Sequence, residues 1–494
     1  MRAFSTVIGS TFLVSMLGLV GCRSEPTPAA TSSTNPEPGQ GSALQEFECG
    51  EEFPVHARCG DFEVFEDRAA GSGRKIKLRW VVLPATNTDE RLPDPVFSFA
   101  GGPGQAATEL TVLASTQLAG VNERRDLVFV DQRGTGNSNP LQCMASELPD
   151  LIEGMTSASQ REALSECRAG WDADLSHYGT TEAMADIDEL RAALGYEQIN
   201  IWGVSYGSRA ALEYLRRHES SVRSVLAWGI APPQLPYLIH FGEATQSALD
   251  QLLADCALEP SCAQVLPEGL GSVDEIIARL KAQPAMVELI DPRSGEAATI
   301  EVDHELFMTG VRLTLYDASW ASNLPLMLAA AKAENYRPLM DFVTSFVVAV
   351  YSHIYIGMNI SVACSEDVAR ITDADLSAAA ATRSGARTMQ EYIDTCADWP
   401  KSTLAPDWAE PVASSVPVLL MNGAADPATP PSSAQLAAGS LSNTKLVVFP
   451  KVGHGTSNAG ECVNQLIRAF IDEPDPAALD TSCVAATERP PFAF

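Results

Sequence analysis

Gln198-Ile199-Asn200-Ile201-Trp202-Gly203-Val204-Ser205-Tyr206-Gly207-Ser208-Arg209-Ala210 is the stretch on which the fold turns. Gln198 to Trp202 reads as a strand, and Ser208 to Arg217 as a helix. Between them, Gly203-Val204-Ser205-Tyr206-Gly207 fits the pattern G-x-S-x-G. Glycine is needed on both sides because such a turn is strained and its helix packs close to the strands. The turn exposes the Ser205 hydroxyl and aims the positive end of the helix at whatever approaches it.

The alternation of strand and helix continues on both sides. Phe62 to Phe65 and Lys75 to Val82 read as early strands, Pro95 to Phe99 and Asp126 to Val130 as short buried ones, and Val222 to Trp228 as the strand after the helix. Glu182 to Leu194 has helical periodicity, with Met184, Ile187, Leu190 and Leu194 on one face. From about Pro236 to Ala405 the alternation stops and the pattern is mainly helical. It returns with a strand at Val416 to Met421, a helix at Pro431 to Leu441, a strand at Lys445 to Phe449 and a helix at Glu461 to Ile471. This order implies an α/β protein, with a mostly parallel central sheet flanked by helices and a mainly helical cap inserted between two core strands. A chain of 494 residues is too long for one compact core without such an insertion. The expected core is 45–235 with 406–494, and the expected cap is 236–405.

A serine hydroxyl is a weak nucleophile and needs a base. Of the 7 histidines, His454 alone follows the last core strand, in Val452-Gly453-His454-Gly455. A loop there lies over the carboxyl ends of the strands, beside Ser205. The imidazole needs a carboxylate to fix its tautomer, and Asp426 in Asp426-Pro427-Ala428-Thr429-Pro430 follows a strand at the same rim. Thr429 is either a hydrogen-bond partner of that carboxylate or only a turn residue. Negative charge developing on a carbonyl oxygen needs N–H donors. Tyr206 supplies one, and Gly102 in Gly101-Gly102-Pro103-Gly104 is the expected second, with Gly102–Pro103 a candidate cis bond. Arg133, in Asp131-Gln132-Arg133-Gly134-Thr135-Gly136, is expected to brace these loops. His218 is expected to cap its helix or be exposed, and His353 to pack within the cap. Each of the three reactive residues also has a plain reading: an ordinary strand–helix turn, a surface histidine and a helix N-cap. No metal or cofactor is implied.

Taken together, Phe99-Ala100-Gly101-Gly102-Pro103-Gly104, Asp131 to Ser138, the Gly-Val-Ser-Tyr-Gly turn and Gly453-His454-Gly455 resemble the proline iminopeptidase and tripeptidyl aminopeptidase family. Ala363-Cys364-Ser365-Glu366-Asp367, Cys396 to Pro400 and the tract from Cys256 to Pro267 resemble its tripeptidyl branch. The order Ser, Asp, His is that of α/β-hydrolases, so the resemblance implies the α/β-hydrolase fold and the triad Ser205, Asp426 and His454. Ala100 stands where proline iminopeptidases usually carry histidine, and Trp228-Gly229-Ile230 replaces their usual Asp-Gly-Val. The family implies an exopeptidase acting on peptides with a free N-terminus. A buried ammonium needs a carboxylate, for which Glu366, and second Asp367, are the candidates. The aromatics Phe307, Tyr316, Trp320, Phe342, Phe346, Tyr351 and Tyr355 are expected mostly in the cap core, with some lining a pocket. A carboxylesterase with the same triad, or a surface-binding protein on an inactive hydrolase scaffold, remains open.

The formal net charge of -30 disfavours nucleic acid and anionic lipid headgroups as partners. Met1-Arg2, an apolar run from Phe4 to Val20 and Leu19-Val20-Gly21-Cys22 resemble a bacterial lipoprotein signal. The expectation is a signal peptide at 1–21, lipidation of Cys22, a flexible Pro/Ser/Thr-rich linker at 22–44 and anchorage to the cell envelope, on the outer membrane in a Gram-negative host. An uncleaved membrane helix is the alternative. Beyond Cys22, ten of the 11 cysteines remain, without a C-x-x-C pair, which suits disulfides in an exported chain. Local pairing is expected: Cys49–Cys59, Cys143–Cys167, Cys256–Cys262, Cys364–Cys396 and Cys462–Cys483.

Overall fold

The structure, a computed structural model, describes residues 44–143, 148–153 and 159–493. The expected leader, Cys22 and all of the linker except Leu44 lie outside the described residues. The strands of the main sheet are β1 (Leu44–Phe47), β2 (Arg58–Phe65), β3 (Lys75–Leu83), β4 (Val96–Phe99), β5 (Leu127–Val130), β6 (Ile199–Val204) and β7 (Val222–Trp228), then β10 (Val418–Gly423) and β11 (Thr444–Phe449). A separate hairpin is made by β8 (Ala285–Ile290) and β9 (Ala297–Val302). The sheet order is β1-β2-β3-β5-β4-β6-β7-β10-β11. The first three neighbouring pairs, up to β3 with β5, are antiparallel, and every pair from β5 to β11 is parallel.

The side-chain period of two divides the central strands between two apolar layers. Phe97, Phe99, Val128, Val130, Ile199, Ile201, Val225, Leu420 and their neighbours pack under one set of helices. Val96, Leu127, Phe129, Trp202, Leu226, Leu419 and Met421 pack under the other. Strands β4, β5 and β10 are buried on both faces throughout, which is why they read as mainly apolar runs, broken only by the buried Ser98 and Asn422.

The segment between β7 and β10 builds a third apolar cluster of its own. This segment includes the helices α3 (Phe241–Leu258), α4 (His304–Leu315) and α5 (Ile356–Glu366), the last of which packs into the first layer, and also the β8–β9 hairpin, where the sequence suggests helix. The hairpin buries Val287, Leu289, Ile300 and Val302 against the helices and turns through Asp291 to Glu296. All five expected disulfides are formed. No helix among the described residues is long and apolar enough to cross a membrane.

Candidate active site

Three loops meet at the carboxyl ends of the parallel strands. The first leaves β6 through Ser205 into the helix α2 (Tyr206–His218), which follows α1 (Thr180–Ala193). Ser205 has φ 58 and ψ -123, outside the regions an L-residue ordinarily occupies. A conformation of this kind costs on the order of 1–3 kcal/mol and persists only where its surroundings hold it. Here the Ser205 N–H donates to the Trp228 carbonyl at 2.8 Å. The Ser205 carbonyl accepts from the Ser208 hydroxyl at 2.6 Å, and Ser208 Oγ accepts the Ala231 N–H at 2.9 Å. Helix α2 can lie this close to β4 because Gly207 has no side chain: a Cβ there would stand 2.1 Å from the Phe99 carbonyl oxygen.

The second loop follows β10. Asp426 is buried, and its Oδ1 accepts the N–H groups of Ala428 and Thr429, both at 2.8 Å. Its Oδ2 accepts the Thr429 hydroxyl at 2.8 Å and lies 2.9 Å from His454 Nδ1. That contact places the ring proton on Nδ1 and leaves Nε2 as an acceptor. The third loop, after β11, carries His454. Its carbonyl accepts the Trp228 indole N–H at 2.6 Å, and its ring meets the edge of Tyr316 at 5.0 Å between centroids. The ring also lies over Gly229, where a Cβ would come within 3.1 Å of His454 Cε1. Gly229 follows β7, whose Trp228 is in register with Val204 of β6, so the imidazole stands one strand away from Ser205.

The glycine loop after β4 lies against the serine: a Cβ on Gly101 would be 3.4 Å from Ser205 Cβ. Gly102–Pro103 is cis, and Gly102 has φ +105. The insertion holds this loop from outside. Asn359, on α5 (Ile356–Glu366), donates its amide to the Pro103 carbonyl at 2.9 Å, and the Tyr355 N–H donates to the Gly104 carbonyl at 2.8 Å. A cavity of about 50 Å³ opens here, lined by Gly102, Ser205, Tyr206, Arg209, Tyr316 and Thr429 among others. A space of that size admits one short side chain or a few waters.

Arg133 braces the loops as expected: buried, it donates to both oxygens of Asp186 and to the carbonyls of Phe65, Glu66 and His177. His218 pairs with Asp188 at 3.3 Å, whereas His353 is not packed within the cap as expected but stands exposed, paired with Glu109 at 3.3 Å. Of the seven aromatics, Tyr316 reaches the cavity, Phe307 is fully buried in the cap cluster, and the side chain of Tyr351 lies outside those described.

Glu366 and Asp367 are placed otherwise than expected. Both are buried and neither lines the cavity, whereas Arg209, which does line it, lies against them. Arg209 Nη1 donates to Asp367 Oδ2 at 2.8 Å and lies 3.6 Å from Glu366 Oε2. The second Asp367 oxygen accepts the Tyr237 N–H at 3.2 Å. A buried guanidinium needs an anionic partner, and Asp367 supplies it, with Glu366 beside the pair. Sequence reasoning missed the roles of Asn359, Ser208 and Arg209, none of which belongs to a recognisable motif, and noted Trp228 only as a departure from the family pattern.

Comparison with known proteins agrees with this architecture. The family model described as alpha/beta hydrolase fold matches residues 99–258, and the one described as TAP-like protein matches residues 381–483. The serine protease Hip1 of Mycobacterium tuberculosis is 23% identical over 453 residues, covering 85% of this chain and 86% of that protein. The tripeptidyl aminopeptidase of Streptomyces lividans is 26% identical over 196 residues, 37% of this chain and 36% of that one. Among solved structures, the proline iminopeptidase of Mycobacterium smegmatis aligns with a TM-score of 0.41 at 16% identity, over 85% of this chain and 99% of its own.

Proposed function

We propose that this chain, which has the α/β-hydrolase fold and is similar to tripeptidyl aminopeptidases and proline iminopeptidases, is an exported serine aminopeptidase working through an acyl-enzyme. Ser205 attacks the scissile carbonyl. His454 Nε2 takes the serine proton and returns it to the leaving amine, while Asp426 holds the proton on Nδ1 and stabilises the imidazolium. The N–H groups of Tyr206 and Gly102 receive the oxyanion. Water then repeats the sequence and releases the acyl part.

The observation that carries this reading is the set of contacts joining Asp426, His454 and Gly229 beside a serine held in a strained turn. The aminopeptidase type draws its support from the relatives' names. Export is supported by five disulfides, and the lipid anchor at Cys22 by the leader pattern alone.

Hydrolysis of a free-amine peptide anilide and of its N-acetylated form tests the type. The free form is expected to turn over and the blocked one to fail. Equal turnover of both would sink the aminopeptidase reading while leaving the hydrolase. S205A is expected to lower kcat by about 10⁶-fold and to abolish labelling by a fluorophosphonate.

A further inference from the structure

One buried acid near the site has no part in this chemistry. Glu366 closes α5 and is 1% exposed. Its Oε1 accepts the N–H of Thr180, the first residue of α1, at 2.8 Å. The Thr180 hydroxyl in turn lies 2.6 Å from the hydroxyl of Tyr206, a ring that is itself buried. The other oxygen, Oε2, has no hydrogen-bond partner and lies 3.6 Å from Arg209 Nη1. Tyr206 and Arg209 are three residues apart on α2, so both project from the same face of the helix that begins at the nucleophile. A single carboxyl group therefore meets two side chains of that first turn, one through Thr180 and one directly.

We infer that Glu366 is a positioning residue for the reaction at Ser205: through Thr180 it fixes the Tyr206 ring, and thereby the first turn of α2 and the Tyr206 N–H that receives the oxyanion. This rests on Ser205 being the nucleophile. The Tyr206 backbone cannot rotate without moving its ring, and the ring is held at its far end by the 2.6 Å contact with Thr180 and a 3.4 Å contact with Gln132.

The state of the carboxyl group follows from its neighbours. Arg209 faces it from α2, Thr180 from α1, and Asp367 and Arg370 from its own segment, while Tyr206 completes the surroundings. The Arg209 charge is already matched by Asp367 at 2.8 Å, and a second anion beside it would be buried with one oxygen unbonded. Burial accordingly pushes Glu366 up to about 8. Below that pH it is uncharged and serves as an acceptor. Above it, a negative charge appears next to the residue whose N–H must attract an oxyanion, and like charges oppose each other.

The consequence is a fall in kcat above about pH 8 on any acyl substrate, with or without an amine. A Glu366 that received the substrate's ammonium would instead alter KM, and for free-amine substrates only. The test is kcat and KM against pH for the wild type, E366Q, T180V and Y206F, on p-nitrophenyl acetate and on a free-amine peptide anilide. E366Q keeps an acceptor for Thr180 but cannot ionise, so the alkaline fall is expected to vanish with both substrates. T180V and Y206F each break the link to the ring and are expected to lower kcat up to about tenfold on both, with KM little changed. An unaltered alkaline fall in E366Q, or a change confined to KM of the free-amine substrate, overturns the inference. If E366Q does not fold, full kcat in both T180V and Y206F overturns it equally. Fluorophosphonate labelling separates the two levels: an unlabelled wild-type Ser205 removes the proposed mechanism, whereas normal labelling with an unchanged E366Q profile removes the role of Glu366 alone.

Discussion

Replacing Asp426 by Asn asks what sets the proton on His454. Asp426 Oδ1 faces two backbone donors, the N–H groups of Ala428 and Thr429 at 2.8 Å each. An amide NH₂ placed there would oppose both, so the amide oxygen takes that position. The NH₂ then falls where Oδ2 was, 2.9 Å from His454 Nδ1. Thr429 Oγ1, 2.8 Å from the same position, accommodates the change by turning a lone pair toward it. An NH₂ can only donate, so Nδ1 must accept, and the ring proton moves to Nε2, the atom that has to take the serine proton. In a serine-protease triad this wrong tautomer costs about 10⁴-fold in kcat, which is about 5.5 kcal/mol at ~1.36 kcal/mol per decade. Stability should change little, because both buried N–H groups keep an acceptor. D426A, by contrast, orphans both of them at roughly 1–3 kcal/mol each. The assay is kcat on a free-amine peptide anilide near neutral pH, with thermal unfolding alongside. The reasoning is refuted if D426N keeps more than about a tenth of wild-type kcat, or if it is as unstable as D426A.

Gly229→Ala forces an L-side chain into φ +63 and sets a Cβ 3.1 Å from His454 Cε1. It should cost about 1–2 kcal/mol of stability and lower kcat by about 10²-fold through displacement of the ring, as steady-state kinetics and thermal melts will report. The Cys364–Cys396 bridge spans 32 residues and ties α5, which holds the glycine loop through Asn359, to the helix Arg387–Cys396. C364A/C396A should lose about 2–4 kcal/mol in denaturant unfolding, with a lower kcat in the folded fraction. Glu366, with a native value raised to about 8 from 4.5, keeps its proton in the folded state where the unfolded chain has released it. Its stabilisation is therefore complete below about pH 4.5 and is lost as pH rises through about 8. Denaturant midpoints measured across that window should fall more steeply in the wild type than in E366Q, and parallel slopes would contradict the shift.

What was legible in the sequence was legible for a local reason. Ser205, Asp426 and His454 each stand within five residues of the end of an apolar strand, and the glycines around them record close approaches that no other residue permits. The β8–β9 hairpin was legible in principle: Asp291-Pro292-Arg293-Ser294-Gly295 is a turn signal, and Ile300 and Val302 alternate with polar neighbours. Long helices on both sides masked a period of two that lasts only six residues per strand. Glu366 and Asp367 show a different limit. A sequence displays a carboxylate but not the cation that claims it, and the Asp367 partner, Arg209, lies 158 residues earlier.

The signal that would have linked them is on α2 itself. Arg209 comes one helical turn after Ser205, within a run from Tyr206 to Leu215 that is buried throughout. A guanidinium on so buried a helix must be neutralised from whatever covers that face, and what covers it is the inserted segment. Asp367 is thereby engaged as the ion-pair partner of Arg209, and Glu366, beside it, as the acceptor of the Thr180 N–H, and neither lines the cavity.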